Sequence, residues 1–148
     1  RVTQIERLSK KNLRQILKGQ IETSTPVLFV VKFYSNECHY CHALQDDFIN
    51  LSTKHDDAHF YAFNISDQPE IQKIVGFKGV PTICTFLIGS SKPRIRVIPD
   101  PTTPHKNGTT SQILIHSLTR RKQKYEYENL QCCSDPTERE IDGTFGEY

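Results

Sequence analysis

The sequence predicts an α/β fold in which a central mixed β-sheet carries helices on both faces. Strand-sized apolar runs alternate with helix-like segments over residues 2–75, the pattern of parallel strands joined by helical crossovers. Residues 27–34 are apolar except for Lys32 and rich in Val and Phe, as in a strand that is buried on both faces. Residues 82–88 and 94–98 are two further strands, and the short Gly- and Pro-containing turn between them indicates a hairpin.

The segment before the central run predicts a strand and a helix. Residues 2–8 have a strand-like composition, and Ser9 provides an N-cap for a helix over residues 10–18. The apolar side chains of that helix fall on one stripe, and Gly19 ends the helix. These apolar residues are Leu13, Ile16 and Leu17.

The segment after the central run predicts a longer helix, a strand and a short helix. A helix from residue 39 to about residue 54 follows from apolar residues that are spaced by three or four along one face. These residues are Cys41, Leu44, Phe48 and Leu51. Residues 60–65 are a predicted strand, and a short helix begins at Ser66 or Asp67 and continues through Val75.

The C-terminal part predicts a last helix and a tail. The helix starts near Thr110, after a Pro-rich loop, and extends toward Tyr127. Residues 131–148 are acidic and contain Gly, Pro and Thr, which is typical of a linker or a loosely docked end. We therefore divide the chain into a domain over residues 1–128 and an acidic C-terminal tail or linker over residues 129–148.

Charge and hydropathy argue against two classes of partner. The formal net charge is +2, so no strong attraction to nucleic acid is predicted. The longest apolar stretch runs from Val27 to Val31, far short of the ~20 residues that a membrane-spanning helix needs. We therefore expect no nucleic-acid partner and no membrane span in this chain.

Glycosylation-type triplets favour a secretory compartment, such as the lumen of the endoplasmic reticulum. Three Asn-x-Ser/Thr triplets begin at Asn50, Asn64 and Asn107. Because the chain begins at Arg1 and contains no methionine, we interpret it as a fragment or a mature form cut from a longer precursor.

The feature that carries chemistry is the close pair Cys38 and Cys41, since the five cysteines are otherwise unevenly spaced. Cys38 follows the central strand by a three-residue turn and therefore lies at the N-terminus of the next helix. There, unpaired N–H groups and the positive end of the helix dipole favour a thiolate, the nucleophilic form. Cys41 can close a disulfide, faces inward, and can attack a mixed disulfide to release the substrate. The pair predicts thiol–disulfide exchange, with Cys38 as the nucleophile and Cys41 as the resolving thiol.

The two residues between the cysteines adjust this chemistry. A protonated His39 adds a positive charge beside the Cys38 sulfur, which stabilises the reduced form and makes the disulfide more oxidising. A solvent-exposed His39 at the helix start has no such effect. Tyr40 is predicted to supply a contact surface for the substrate.

Three other interpretations of the motif have less support. The run from Cys38 to His42 matches the Cys-x-x-Cys-His pattern of covalent haem attachment, but no methionine is present as a far axial ligand, although a histidine could serve. A zinc site could combine the pair and a nearby histidine with Cys132 and Cys133, but a second Cys-x-x-Cys pair is missing. A purely structural disulfide closes a very small loop and gains little from loop entropy. We expect no metal ion and no cofactor.

Two separate segments resemble one known family. Residues 31–44, with the sequence VKFYSNECHYCHAL, resemble an active-site strand and helix, and residues 76–82, with the sequence GFKGVPT, resemble a cis-proline segment. Residues 64–67 resemble the end of the third strand. The family is the thioredoxin superfamily, and the closest resemblance is to the domains of protein disulfide isomerases. It covers roughly residues 2–120 and implies the thioredoxin fold.

The resemblance implies further site residues. Pro81 takes the place of the family's cis-proline, which packs opposite the cysteine pair. Val80 would then offer backbone groups to an extended substrate, as in strand addition. Glu37 stands where the family has a tryptophan, and its carboxylate opposes a thiolate at Cys38 unless it points into water.

Lys32 takes the place of the family's buried acid, which is thought to accept the proton of the inner cysteine. If Lys32 is desolvated, its pKa falls and it could act as a neutral base. Alternatively, its cation stabilises a thiolate and slows the return of the proton, or its ammonium extends into solvent. All three roles stay open at this point.

The sequence therefore predicts a thiol–disulfide oxidoreductase, similar to protein disulfide isomerase, that acts on the cysteines of polypeptide substrates. Its redox partner is expected to be glutathione or another oxidoreductase, and the direction of electron flow is open. The alternative is a client-binding, thioredoxin-like module of a larger chaperone-type protein with weak or no redox activity.

Overall fold

The computed structural model describes part of the chain, and everything below refers to that part. The described ranges are residues 5–55, 58–66, 68–89, 94–98 and 137–140. Within them, the backbone alone is described for residues 39, 40, 42–44, 47, 94, 96, 98 and 137–140.

Nine elements follow one another along the described chain. They are β1 (Glu6–Arg7), α1 (Lys10–Leu17), β2 (Val27–Tyr34), α2 (His39–Lys54), β3 (Ala58–Asn64), α3 (Glu70–Val75), β4 (Thr82–Ile88), β5 (Arg94–Ile98) and β6 (Thr137–Glu140). The strands form one sheet in the order β1-β3-β2-β4-β5-β6. The strand β3 is parallel to β1 and β2, whereas β4 is antiparallel to β2 and β5. The predicted mixed sheet is confirmed.

The central strand β2 is buried on both faces, as predicted, because helices cover both sides of the sheet. Val31 and Phe33 belong to a core cluster that includes apolar side chains of α1 and α3. Leu28 and Val30 point to the opposite face and pack in a second cluster with Phe48 of α2. Each fully buried side chain of this size stabilises the fold by about 1.5–3 kcal/mol, so the core holds β2 firmly in place.

The third helix begins later than the sequence analysis predicts. We expected a start at Ser66 or Asp67, but α3 begins at Glu70, with Pro69 as its N-cap. The reason is steric, since a proline disfavours the helical conformation in the residue before it, here Gln68. Two strand ends also differ: the described part of β1 is Glu6–Arg7, and β3 begins at Ala58.

The tail contributes a strand that the sequence analysis missed. We interpreted residues 131–148 as a linker or a loosely docked end, but β6 pairs antiparallel with β5. The register places Arg94 opposite Glu140 and Arg96 opposite Glu138. A short run without apolar alternation gives no strand signal. The division after residue 128 stays a prediction, and the predicted helix from Thr110 lies outside the described residues.

Gly89 provides a test of the packing at the end of β4. Its φ of +88° is unfavourable for other residues, and an added Cβ would lie 2.9 Å from the Thr25 carbonyl oxygen. We predict that Gly89→Ala lowers the free energy of unfolding by about 1–3 kcal/mol, measured by urea denaturation. Gly79→Ala is the matched control, because nothing lies within 4 Å of its added Cβ. Equal losses in both variants would contradict the prediction.

Candidate active site

Cys38 and Cys41 form a disulfide bond at the N-terminus of α2. Cys38 is the N-cap residue, with φ −93° and ψ 103°, and its Sγ accepts a hydrogen bond from the Cys41 backbone N–H at 3.1 Å. The two Cα atoms are 5.3 Å apart. Cys38 is 8% exposed and Cys41 is 5% exposed, so the pair lies just below the surface. The predicted placement at the helix start is therefore present, whereas the roles of the two sulfurs stay predictions.

Hydrogen bonds to the end of β3 hold the loop that leads to Cys38. The Asn36 backbone N–H donates to Ser66 Oγ at 2.9 Å, and the Asn64 side-chain amide donates to Asn36 Oδ1 at 2.7 Å. The Ser66 N–H in turn donates to Asn64 Oδ1 at 2.9 Å. This positioning role was not predicted from the sequence. Asn64 and Ser66 were interpreted as part of a glycosylation-type triplet and of a family-like strand end, and Ser66 also as a possible start of α3.

Glu37 is exposed to solvent. Water screens a charge in that position, so its opposition to a thiolate at Cys38 is weak. An exposed Glu37 is the case in which its carboxylate is expected not to oppose the thiolate.

Lys32 is the charged side chain that lies deepest in the site. It is 3% exposed, so its ammonium does not extend into bulk solvent, as one of the three alternatives required. Its Nζ donates to Gln45 Oε1 at 3.0 Å and lies 5.5 Å from the centroid of the Phe48 ring and 5.9 Å from that of Tyr34. Desolvation by burial lowers the pKa of Lys32 below its ordinary value.

A cavity of about 480 Å³ lies beside the inner cysteine. Its lining includes Arg7, Lys32, Tyr34, Cys41, Gln45 and Asp46. Lys32 and Cys41 therefore line the same cavity, in keeping with the place beside the inner cysteine that the family resemblance implies for Lys32.

Val80 and Pro81 lie at the same end of the sheet as the cysteine pair. Strand β4 starts at Thr82, directly after Pro81, and pairs with the end of β2 that leads into the Cys38 loop. Pro81 is buried, Val80 is half-buried, and the peptide bond between them is cis. Thr82 Oγ1 donates to the Gly79 carbonyl oxygen at 2.6 Å, which fixes the turn before β4.

The remaining predicted site residues are described only by their backbone. His39 and Tyr40 form the first turn of α2, and their side chains lie outside the described part. Among the described side chains, no group of three or more His, Cys, Asp or Glu residues could hold a metal ion. No helix in the described ranges has the length and apolar character needed to cross a membrane.

Comparisons with known proteins agree with this geometry. The family model described as Thioredoxin matches residues 4–99. Three similar solved structures are the J-Trx1 fragment of ERdj5, oxidised mitochondrial thioredoxin 3 from Saccharomyces cerevisiae, and a complex of ferredoxin:thioredoxin reductase with thioredoxin f2. Their TM-scores are 0.55, 0.52 and 0.55, at 18%, 18% and 17% sequence identity.

The coverage of these structures differs. The matches span 82%, 78% and 81% of this chain and 52%, 93% and 96% of the respective structures, so the chain corresponds to about half of the ERdj5 fragment. A search of curated protein sequences finds no match. At these identities the solved structures show the fold, and the family model shows the family. The chain belongs to the thioredoxin family and has the fold of its thiol–disulfide oxidoreductases, with Cys38 and Cys41 as the cysteine pair.

Proposed function

We propose that this protein is a thiol–disulfide oxidoreductase that acts on the cysteines of other polypeptides, in the manner of protein disulfide isomerases. One observation carries the proposal: the Cys38–Cys41 disulfide closes at the first turn of α2, and a backbone N–H points at the Cys38 sulfur. A sulfur at this place is stabilised as an anion by the N–H and by the helix dipole.

The reaction proceeds by two exchanges. In the reducing direction, the Cys38 thiolate attacks a substrate disulfide, forms a mixed disulfide, and expels one substrate sulfur as a thiolate. Cys41 then attacks Cys38, the mixed disulfide breaks, and the second substrate sulfur leaves with the electron pair. The protein's two thiols have then given two electrons to the substrate and have become a disulfide. The oxidising direction runs the same steps backwards, and glutathione or another oxidoreductase restores the starting state.

The residues around the pair adjust its potential. His39, when protonated, adds positive charge at the helix start and favours the reduced form. Glu37 opposes this only weakly, because it is exposed. We therefore propose that His39 makes the disulfide more oxidising than the helix dipole alone would.

The substrate groove is proposed to run past Val80 and Pro81, with Tyr40 as a further contact. Support comes from their place at the sheet end beside the Cys38 loop and from the partial exposure of Val80. An extended peptide there can use the Val80 backbone groups, as in strand addition.

A client-binding module with weak redox activity is the second candidate. The low exposure of both cysteines, 8% and 5%, favours it, because a folded protein disulfide has little access to a sulfur below the surface. The sulfur is more accessible to a cysteine of an unfolded or extended client.

We also propose that the protein works in a secretory compartment, such as the lumen of the endoplasmic reticulum. The three glycosylation-type triplets in the sequence support this. Of the two in the described part, Asn50 is exposed on α2, whereas the Asn64 side-chain amide donates to Asn36 Oδ1.

We predict that the Cys38–Cys41 pair is a reversible redox couple in glutathione buffers. Mass spectrometry after alkylation should give a potential of about −180 mV or higher for an oxidase or isomerase, and of about −270 mV for a reductase. With a disulfide-containing peptide, Cys41→Ser should accumulate the mixed disulfide, whereas Cys38→Ser should form none. A pair that never re-forms its disulfide would remove the oxidoreductase proposal and leave the client-binding module.

We predict that His39→Ala makes the pair less oxidising. Loss of the positive charge should shift the exchange equilibrium with glutathione by about tenfold toward the disulfide, which corresponds to about 30 mV. The iodoacetamide alkylation profile of Cys38 should move to higher pH. Glu37→Gln is the neighbouring control, and its shift should be smaller and of opposite sign. Identical potentials for His39→Ala and the wild type would contradict a role for His39.

A further inference from the structure

The Lys32 ammonium has no described counter-ion. No Asp or Glu oxygen among the described side chains lies within 4.0 Å of its Nζ. Its neighbours across the sheet are Ala62 on β3 and Ile83 on β4, which are both apolar. A buried cation without a counter-ion is costly even when it has a hydrogen-bond acceptor, so this position calls for a compensating anion or for a neutral amine.

The inner cysteine is placed to supply that anion. Gln45, which holds the Lys32 Nζ at 3.0 Å, lies one helical turn after Cys41 on the same face of α2. Lys32, Gln45 and Cys41 line one cavity. In the disulfide, the Cys41 sulfur carries no charge, but reduction converts it into a group that can be a thiolate.

We propose that Lys32 and Gln45 form a charge-compensating site for the inner cysteine, in which the Cys41 thiolate becomes the counter-ion of the Lys32 ammonium when the disulfide is reduced. Gln45 acts as a positioning residue that keeps the ammonium beside the sulfur. The inference deepens the proposed function and rests on it, because the ion pair exists only in the reduced half of the cycle.

Opening of the disulfide does not require a proton on Cys41. A substrate thiolate attacks the Cys38 sulfur, a new sulfur–sulfur bond forms there, and the old one breaks. The electron pair of the broken bond goes to Cys41, which leaves as a thiolate. The Lys32 ammonium neutralises this charge in the low-dielectric interior, where such a pair is worth most. When Cys41 attacks Cys38 to release the substrate, its sulfur loses the charge and the ion pair is lost.

The other charged groups around the cavity contribute less. Arg7 comes from β1 and Asp46 from α2, and both are exposed, so water screens their opposite charges. Tyr34 from β2 is half-buried beside the Lys32 Nζ, while β3 contributes Ala62, which does not titrate. The Lys32 charge is therefore the main electrostatic influence on Cys41 from the described part of the cavity.

The direction in which Lys32 shifts the reduction potential depends on whether the ion pair forms in the reduced or in the oxidised protein. Because the ion pair stabilises the reduced protein, Lys32 makes the disulfide more oxidising, and its removal makes the disulfide harder to reduce. Without the cation, nothing offsets the desolvation of the buried Cys41 sulfur, and burial favours the protonated thiol. Desolvation lowers the pKa of Lys32 in the disulfide form, and a thiolate beside it opposes that shift.

The test compares Lys32→Met with the wild type by two readouts on the intact chain. The exchange equilibrium with glutathione should shift by about tenfold toward the disulfide, about 30 mV. After full reduction, the pH midpoint of Cys41 alkylation, assigned by fragmentation mass spectrometry, should rise by about one unit or more. Gln45→Leu should shift both readouts in the same direction by less, and Lys32→Arg should retain much of the wild-type behaviour. Lys73→Met, at an exposed position on α3, is the control and should change neither.

Two failures can be told apart. An unchanged Cys41 midpoint in Lys32→Met overturns the charge-compensating site, whatever the potential does. A pair that is not reversible in glutathione buffers overturns the proposed function, while the alkylation of chemically reduced protein still reports on Lys32. Should Lys32→Met fail to fold, the Cys41 midpoint of Gln45→Leu decides instead, and no change there overturns the proposal.

Discussion

The site depends on the pairing of β2 between a parallel neighbour, β3, and an antiparallel one, β4. This arrangement brings three chain segments to the same end of the sheet: the turn into α2, the residues after β3, and the segment before β4. Cys38, the Asn36–Ser66 contact and Pro81 are consequently neighbours in the fold, although they are far apart in sequence. The apolar clusters on both faces keep β2 in register, because a slip of one residue would exchange its two faces.

The same alternation of faces explains the place of Lys32. In β2, the residues that point toward α2 are Leu28, Val30 and then Lys32, so the amine enters the helix-covered side at the level of the first turns of α2. Phe48 shields it from one side, and Gln45 accepts its hydrogen bond. A residue that would be costly in an ordinary core is tolerated here, where it has an acceptor, two aromatic rings and a cavity. This is a typical location for function, since proteins place unfavourable groups where chemistry uses them.

Much of the fold could be predicted from the sequence because its strongest signals are local. The bounds of β2, β4 and β5 follow from apolar runs that end at turn residues, and α2 follows from its spacing and from the preceding turn. The start of α3 was misjudged because the effect of Pro69 on its predecessor outweighed the polar N-cap signal. The cysteine pair could be found, but the fate of the Lys32 ammonium could not, because it depends on Gln45, thirteen residues further along the chain. Likewise, the residues next to Asn64 in the sequence form a glycosylation-type triplet and do not reveal that its side chain hydrogen-bonds to the active-site loop.

The strand β6 has a consequence for behaviour in solution. A strand with one unpaired side offers a row of N–H and C=O groups on which another chain can add itself, and such edges promote aggregation. Here β5 is covered by a four-residue strand of the sequence TERE, so the outermost strand of the described sheet on that side is short and highly charged. Both properties discourage further strand addition. The strand β6 thus protects β5 from pairing with another chain. A chain trimmed before Thr137 would expose the more apolar β5, of the sequence RIRVI, as the edge strand of the described sheet.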